Sequence, residues 1–194
     1  MGDILAAAKA YTHLLDVEYR IVLGKKKKQI SLSIDFEKLH FYHLAGLHYL
    51  KDLADTLKGD RAIVFDKILN GNITQALLET SRHYPEIAER IQYLTFLESI
   101  IDSNKTVFKY NKKLEAFSAI QADFLLKNEI QARNIFTFLS ENPDGKYFCR
   151  SFFPQTDKDY SNGQSTWTLL YKKKISKSTG TETVLYDRLD FLNT

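Results

Sequence analysis

Three of the chain's five histidines fall within nine residues, in the run His40-Phe-Tyr-His43-Leu-Ala-Gly46-Leu-His48. An imidazole titrates near neutral pH and is the commonest general acid or base in proteins. On a helix, His40 and His43 are three apart and share a face. His48 lies two turns beyond His40, about 80° around the axis at ~100° per residue. Asp52, four residues further, is placed to orient the His48 ring. A metal would need a third ligand from elsewhere, and soft or acidic groups nearby are few. The plain alternative is one buried, hydrogen-bonded histidine and two solvated ones. His43 is the candidate acid/base because it precedes Gly46. A mid-helix glycine costs about 1 kcal/mol relative to alanine, which points to a close approach by a strand or a substrate backbone.

A second constellation lies in the last third of the chain: Cys149-Arg150-Ser151-Phe-Phe, then Gln164-Ser-Thr166-Trp-Thr168, then Tyr171-Lys172-Lys173-Lys174. Strict strand alternation puts Thr166, Thr168, Leu170, Lys172 and Lys174 on one face, hydroxyls followed by ammonium groups. The other face takes Ser165, Trp167, Leu169, Tyr171 and Lys173. A face decorated with Thr and Lys is also an ordinary solvated surface. Metal-free RNA cleavage needs a base for the 2′-OH, cations at the phosphate and an acid for the leaving oxygen. His43, Arg150 (or Arg133) and Lys172 have the right chemistry for those roles. Cys149, set in an aromatic strand with no histidine near it in sequence, reads as an inert buried thiol. No phosphate-binding glycine motif, HExxH or CxxC is present.

Net charge is +3 over 194 residues, but it is uneven. Residues 1–104 hold 13 Lys/Arg against 14 Asp/Glu, and residues 105–194 hold 14 against 10. The lysines cluster at Lys25–Lys28, at Lys109, Lys112 and Lys113, and at Lys172–Lys174. Such clusters attract phosphate backbones, although a charged hairpin tip also protects an edge from aggregation. The single cysteine excludes an internal disulfide and favours a reducing, cytoplasmic setting. No run approaches the ~18 apolar residues of a membrane span, and the N-terminal residues read as an amphipathic helix rather than a signal peptide. The aromatic share, 13%, argues that most of the chain is folded.

Positioning these residues requires an α+β fold. An N-terminal helix is expected over 3–16, with Ile4, Leu5, Ala8, Tyr11 and Leu15 as its apolar stripe. Two alternating runs, 17–24 and 29–35, predict a β-hairpin that holds Lys25–Lys28 at its tip. A helical middle follows, with four helices over 39–102: one long helix over 39–57, a short one closed by Asn70-Gly71, one after Thr74, and one opened by Pro85. The rest predicts a C-terminal antiparallel sheet, with a polar join near 127–129, a type I turn at Asn142-Pro-Asp-Gly145 and strands over 146–153, 164–176 and 183–189. One domain over 1–194 is expected, with 60–102 as a possible insertion.

The blocks His43-Leu-x-Gly46-Leu-x-Tyr-Leu, Ser151-Phe-Phe…Asp159-Tyr160…Gln164 and Trp167-Thr-Leu-Leu-Tyr-Lys occur in an order that resembles phage-associated nucleases of the barnase–EndoU–colicin–RelE-like class, over residues 17–187. The resemblance implies helices followed by a curved antiparallel sheet, and a toxin or effector ribonuclease that uses no metal and no cofactor. It implies His43 as acid/base, with Ser151, Thr168 and Lys172 as phosphate contacts. The catalytic set expected is therefore His43, Arg150, Thr168 and Lys172. The substrate-binding set is Lys25, Lys27, Ser151, Gln164, Thr166, Tyr171 and Lys174. RNA is the expected partner, an inhibitor or host protein a further one, and a membrane is not; the oligomeric state is left open. The alternatives are a non-catalytic nucleic-acid-binding module and a phage accessory interaction protein.

Overall fold

A computed structural model describes residues 3–103, 106–114 and 118–189. Helix α1 (Ile4–Leu14) starts at Asp3, whose carboxylate accepts from the Leu5 amide at 2.9 Å, an N-cap bond. It buries Ile4, Ala7, Ala8, Tyr11 and Leu14, so the expected stripe is turned slightly, leaving Leu5 and Leu15 at its margins. Strands β1 (Val17–Lys25) and β2 (Lys28–Ile34) form the expected hairpin around Lys26-Lys27, with Lys26 at φ 55°.

The long helix expected over 39–57 is not one helix. Helix α2 (Lys38–Leu44) ends where Gly46 takes φ 77°, and two 3₁₀ turns follow, Leu47–Tyr49 and Lys51–Leu53. Glycine enters the left-handed region without the Cβ penalty, so this residue stops the helix rather than merely thinning it. Helix α3 (Arg61–Leu69) closes at Asn70-Gly71 as expected, and α4 (Gln75–Glu79) is capped by Thr74. The segment opened by Pro85 divides into α5 (Pro85–Leu94) and α6 (Leu97–Ser103). These helices bury Val64, Phe65, Ile68, Ile87, Ile91 and Ile100 in the same apolar cluster as Tyr19, Ile21 and Leu23 of β1.

The remaining strands are β3 (Thr106–Lys109), β4 (Phe124–Ile130), β5 (Arg133–Glu141), β6 (Tyr147–Pro154), β7 (Ser165–Ser176) and β8 (Glu182–Asp187). The β4–β5 turn falls at Gln131-Ala132, both with positive φ, two residues beyond the expected join. The 142–145 turn is as expected, with the Gly145 amide donating to the Asn142 carbonyl at 2.9 Å. The sheet order is β1-β2-β6-β5-β4-β3-β7-β8, and β1 also pairs with β7, which closes the sheet into a barrel. The fold is thus α+β, but the hairpin is not a separate N-terminal unit: it is the seam of the barrel. One contact, Ile34 with Tyr147, is parallel.

Two β-bulges decide where the candidate residues point. In β6, Phe138 pairs with Ser151 and Leu139 with Cys149, so Arg150 is the extra residue. Directly paired residues share a face, so Ser151 and Phe153 share with Phe138 and Phe136 the barrel's outer face, where the last two are buried in a second apolar cluster, while Cys149 and Phe152 face the main core. In β7, Val22 pairs with Tyr171 and Leu23 with Leu169, which leaves Leu170 as the extra residue. Before this bulge Thr166 and Thr168 are exposed; after it Lys172 and Lys174 pair with Ile21 and Tyr19 and turn inward. The single face expected for Thr166, Thr168, Lys172 and Lys174 does not exist. One inserted residue reverses the side-chain period beyond it.

Candidate active site

The site is built at the corner where α2 meets β6 and α5. Tyr11 donates its hydroxyl to the Glu37 carbonyl at 3.0 Å, which anchors the start of α2. His40 closes that end: its Nδ1 accepts from the Glu37 amide at 3.3 Å, and its ring stacks on Phe148 of β6 at 4.7 Å. Burial lowers its pKa. His40 is therefore a structural histidine. It shares with His43 a cavity of about 450 Å³ that Arg61, Phe148 and Arg150 also line.

The His43 ring is 4.8 Å from that of His48, which Gly46 swings back beside it. His48 in turn sits 4.2 Å from the Tyr49 ring. Burial lowers the His43 pKa first, followed by the charges of Arg61 and Arg150. The edge of His48 is exposed. Crowding of its ring, followed by the charge of His43 and then Arg90, pushes its pKa down to about 4. At neutral pH both imidazoles are proton acceptors. Asp52, expected to orient His48, instead accepts from the Ser81 hydroxyl at 2.5 Å and the Arg82 amide at 3.0 Å. The helix break had carried it away.

Arg90 of α5 lies beneath this corner. Its guanidinium is 5.2 Å from the Tyr49 ring and 5.5 Å from the Phe153 ring, and Nη1 donates to the His43 carbonyl at 3.4 Å. It is 8% exposed, and its buried Nε has no hydrogen-bond partner among the described residues. A Cβ on Gly46 would stand 2.8 Å from Ile87 Cγ2 and 3.1 Å from Arg90 Cδ, so the close approach is by α5 rather than by the sheet. On the other side of Arg90 a second cavity, about 510 Å³, is lined by Tyr49, Ser151, Phe153 and Tyr160. Arg61, Arg90 and Arg150 form no salt bridge with a carboxylate among the described residues. No cluster of metal-ligating side chains occurs among those residues either.

Of the expected residues the fold brings His43 and Arg150 to one cavity, while Ser151 lines the second cavity with Arg90. It does not bring Lys172 to them. The Lys172 side chain is fully buried and Nζ donates to the Ile101 carbonyl at 2.6 Å, on the last turn of α6; burial pushes its pKa down to about 8. Lys174 pairs with Glu98 and with Asp102, and Lys173 with Glu182 at 2.8 Å, so this lysine cluster is internally neutralised. Gln164 accepts from the Asn111 amide at 2.7 Å and fixes a loop. Tyr171 pairs with Val22 on the barrel's outside. Arg133 is taken by Glu89 at 3.0 Å. Cys149 is buried and its thiol is pushed up to about 12, as fits an inert group. Thr166, Thr168, Lys25 and Lys27 lie at the hairpin end. His48, Arg61, Arg90 and Tyr49 also come to this corner. Only His48 carried a signal, its place in the histidine run.

The chain is thus an α+β barrel in which two adjacent histidines sit beside Arg61, Arg90 and Arg150, none of which has a carboxylate partner among the described residues. The family model described as phage-Barnase-EndoU-ColicinE5/D-RelE like nuclease4 matches residues 3–189. The chain belongs to this family, as the order of its sequence blocks had indicated, and its function is of nuclease type. No curated protein matches it, and no solved structure does. Among the described residues no helix is long and apolar enough to cross a membrane.

Proposed function

We propose that the chain cleaves RNA without a metal, by attack of a ribose 2′-oxygen on the adjacent phosphorus, in the role of a toxin or effector. The observation that carries this reading is the His43–His48 pair, 4.8 Å apart, beside the bulged Arg150. One imidazole takes the 2′-OH proton as the new P–O2′ bond forms. The P–O5′ bond breaks, and the 5′-oxygen leaves with a proton from the other imidazole. The products are a 2′,3′-cyclic phosphate and a 5′-hydroxyl. Mutual repulsion keeps the two imidazoles from both being charged, so with substrate bound one can carry the proton of the acid while the other stays the base. A phosphodiester in the cavity adds the negative charge that raises both values toward neutrality. Arg150, Arg61 and the edge of Arg90 neutralise the pentacoordinate phosphate. Ser151, on the same outer face, supplies a hydroxyl to a non-bridging oxygen.

The test is incubation with total RNA in EDTA, followed by mapping of the ends. Cyclic-phosphate or 3′-phosphate ends from the wild type, and a loss of 10²-fold or more in His43→Ala and His48→Ala, are expected. Full activity of His43→Ala removes the pair from the mechanism. Cleavage of DNA as readily as RNA rules out the 2′-oxygen as nucleophile.

A further inference from the structure

The Lys25–Lys28 cluster stands apart from the histidine cavity. Strand β2 carries six peptide steps from Lys28 to Ile34, which meets β6 at Tyr147. At ~3.3 Å per residue that is roughly 20 Å. The cavity of about 450 Å³ that His43 lines includes no residue of the hairpin tip. Instead the four lysines line two cavities of their own, one on each side of the hairpin. The first, about 650 Å³, is shared with Trp167; the second, about 400 Å³, with Thr168, Leu170 and Arg188.

The geometry of this end is built in. Leu23 pairs with Leu169 and Gly24 with Thr168, so the next step sets Lys25 opposite Trp167 at the barrel's mouth. Lys25 Nζ donates to the Ser165 hydroxyl, which pins the hairpin to the start of β7. Gly24 leaves room for the bulged Leu170, whose Cδ1 would lie 2.7 Å from a Cβ there. Lys26, Lys27 and Lys28 are exposed and have no carboxylate partner among the described residues. An indole packed on one side against the barrel core and open in part to the cavity beside a row of ammonium groups is the combination that single-stranded nucleic acid recognises: a stacking platform with a cationic track.

We infer that the hairpin tip and Trp167 form a second site that grips single-stranded RNA at a distance from the scission site. This rests on the reading of RNA as substrate. The tip holds the strand; the histidine corner cuts it. The occupant is a strand rather than a duplex because a stacking indole needs an unpaired base.

The test uses a fluorescein-labelled, single-stranded 2′-O-methyl oligouridylate, which cannot be cleaved through a 2′-oxygen, so binding is read independently of activity. Trp167 is the chain's one tryptophan, so its emission reports this site alone. Quenching on binding is expected. Lys26→Gln/Lys27→Gln/Lys28→Gln should weaken binding about tenfold and reduce the slope of log K against log[salt] by about 2, at ~0.7 per contact. Trp167→Phe should keep most of the affinity and Trp167→Ala should lose about tenfold. In cleavage assays the triple variant should raise KM with kcat intact. Unchanged affinity and salt slope in the triple variant, or unquenched Trp167 at saturation, overturns the inference. So does equal quenching by inorganic polyphosphate, which carries charge but no base. If the wild type binds and quenches as expected yet cuts no RNA, the nuclease mechanism fails and the grip stands.

Discussion

Gly46→Ala is the substitution that tests how the site is assembled. Gly46 sits at φ 77°, and a Cβ there would meet Ile87 Cγ2 at 2.8 Å. The left-handed conformation costs an alanine about 1–2 kcal/mol. The contact with Ile87 adds an overpacking term of about 1–3 kcal/mol, because Ile87 is fully buried and cannot swing away. The sum is about 3 kcal/mol, equivalent to a fall in Tm of roughly 6–12 °C for a chain of this size. Gly71→Ala is the control: φ is 74°, and nothing lies within 4 Å of its Cβ. It should lose only the conformational part, and the gain from a stiffer unfolded chain is the same in both variants. Thermal unfolding of the two side by side isolates the contact between the α2 corner and α5. Cleavage should fall by 10²-fold or more in Gly46→Ala alone, since His43 and Arg90 move apart. If the two variants lose the same stability, the close approach of α5 is not what fixes the corner.

Two further outcomes follow from the titrating groups. Because burial and nearby cations lower both His43 and His48, the acid limb of kcat/KM should fall below the ordinary histidine value of about 6.5; Arg61→Gln should move it upward, and an unmoved limb separates Arg61 from the base. Lys172→Met should keep full cleavage activity, which would be lost if Lys172 acted at the phosphate. The folded-state pKa of Lys172, about 8, lies below its unfolded value, so the unfolded chain binds more protons between the two. Wild-type stability therefore gains a contribution as pH rises from about 8 towards 10.5, and denaturant midpoints should show the gain missing in Lys172→Met.

Local chemistry made much of the fold legible. The lysine hairpin, the stop at Asn70-Gly71, Pro85 at a helix start and the 142–145 turn each rest on one or two residues with a strong backbone preference. What escaped were single-residue irregularities. A period-two pattern cannot reveal that Arg150 and Leu170 are inserted in register, because the bulge exists only relative to a partner strand. Yet the first bulge presents Arg150 to His43, and the second turns Lys172 into the core. Gly46 was noticed as an anomaly, but its positive φ depends on α5 packing against it. Arg90 gave no signal, since a lone arginine on an amphipathic helix looks like any solvated one. That His43 and Arg150 would line one cavity depends on how α2 packs against β6, which no spacing in the sequence encodes.

The seam between β1 and β7 has a consequence for the order of synthesis. At its base the Ser176 hydroxyl donates to Asp16 across 160 residues of chain. The ring cannot close until nearly all of β7 has been translated, and such distant pairing forms late. Meanwhile α2, with its histidines, leaves the ribosome 107 residues ahead of Arg150. At ~5–20 residues per second the interval is roughly 5–20 s. A nascent chain during that time carries imidazoles without the bulge that serves them, and a hairpin without the strand that pins its tip. The two halves of the candidate site are thus joined only after the last strands have been made.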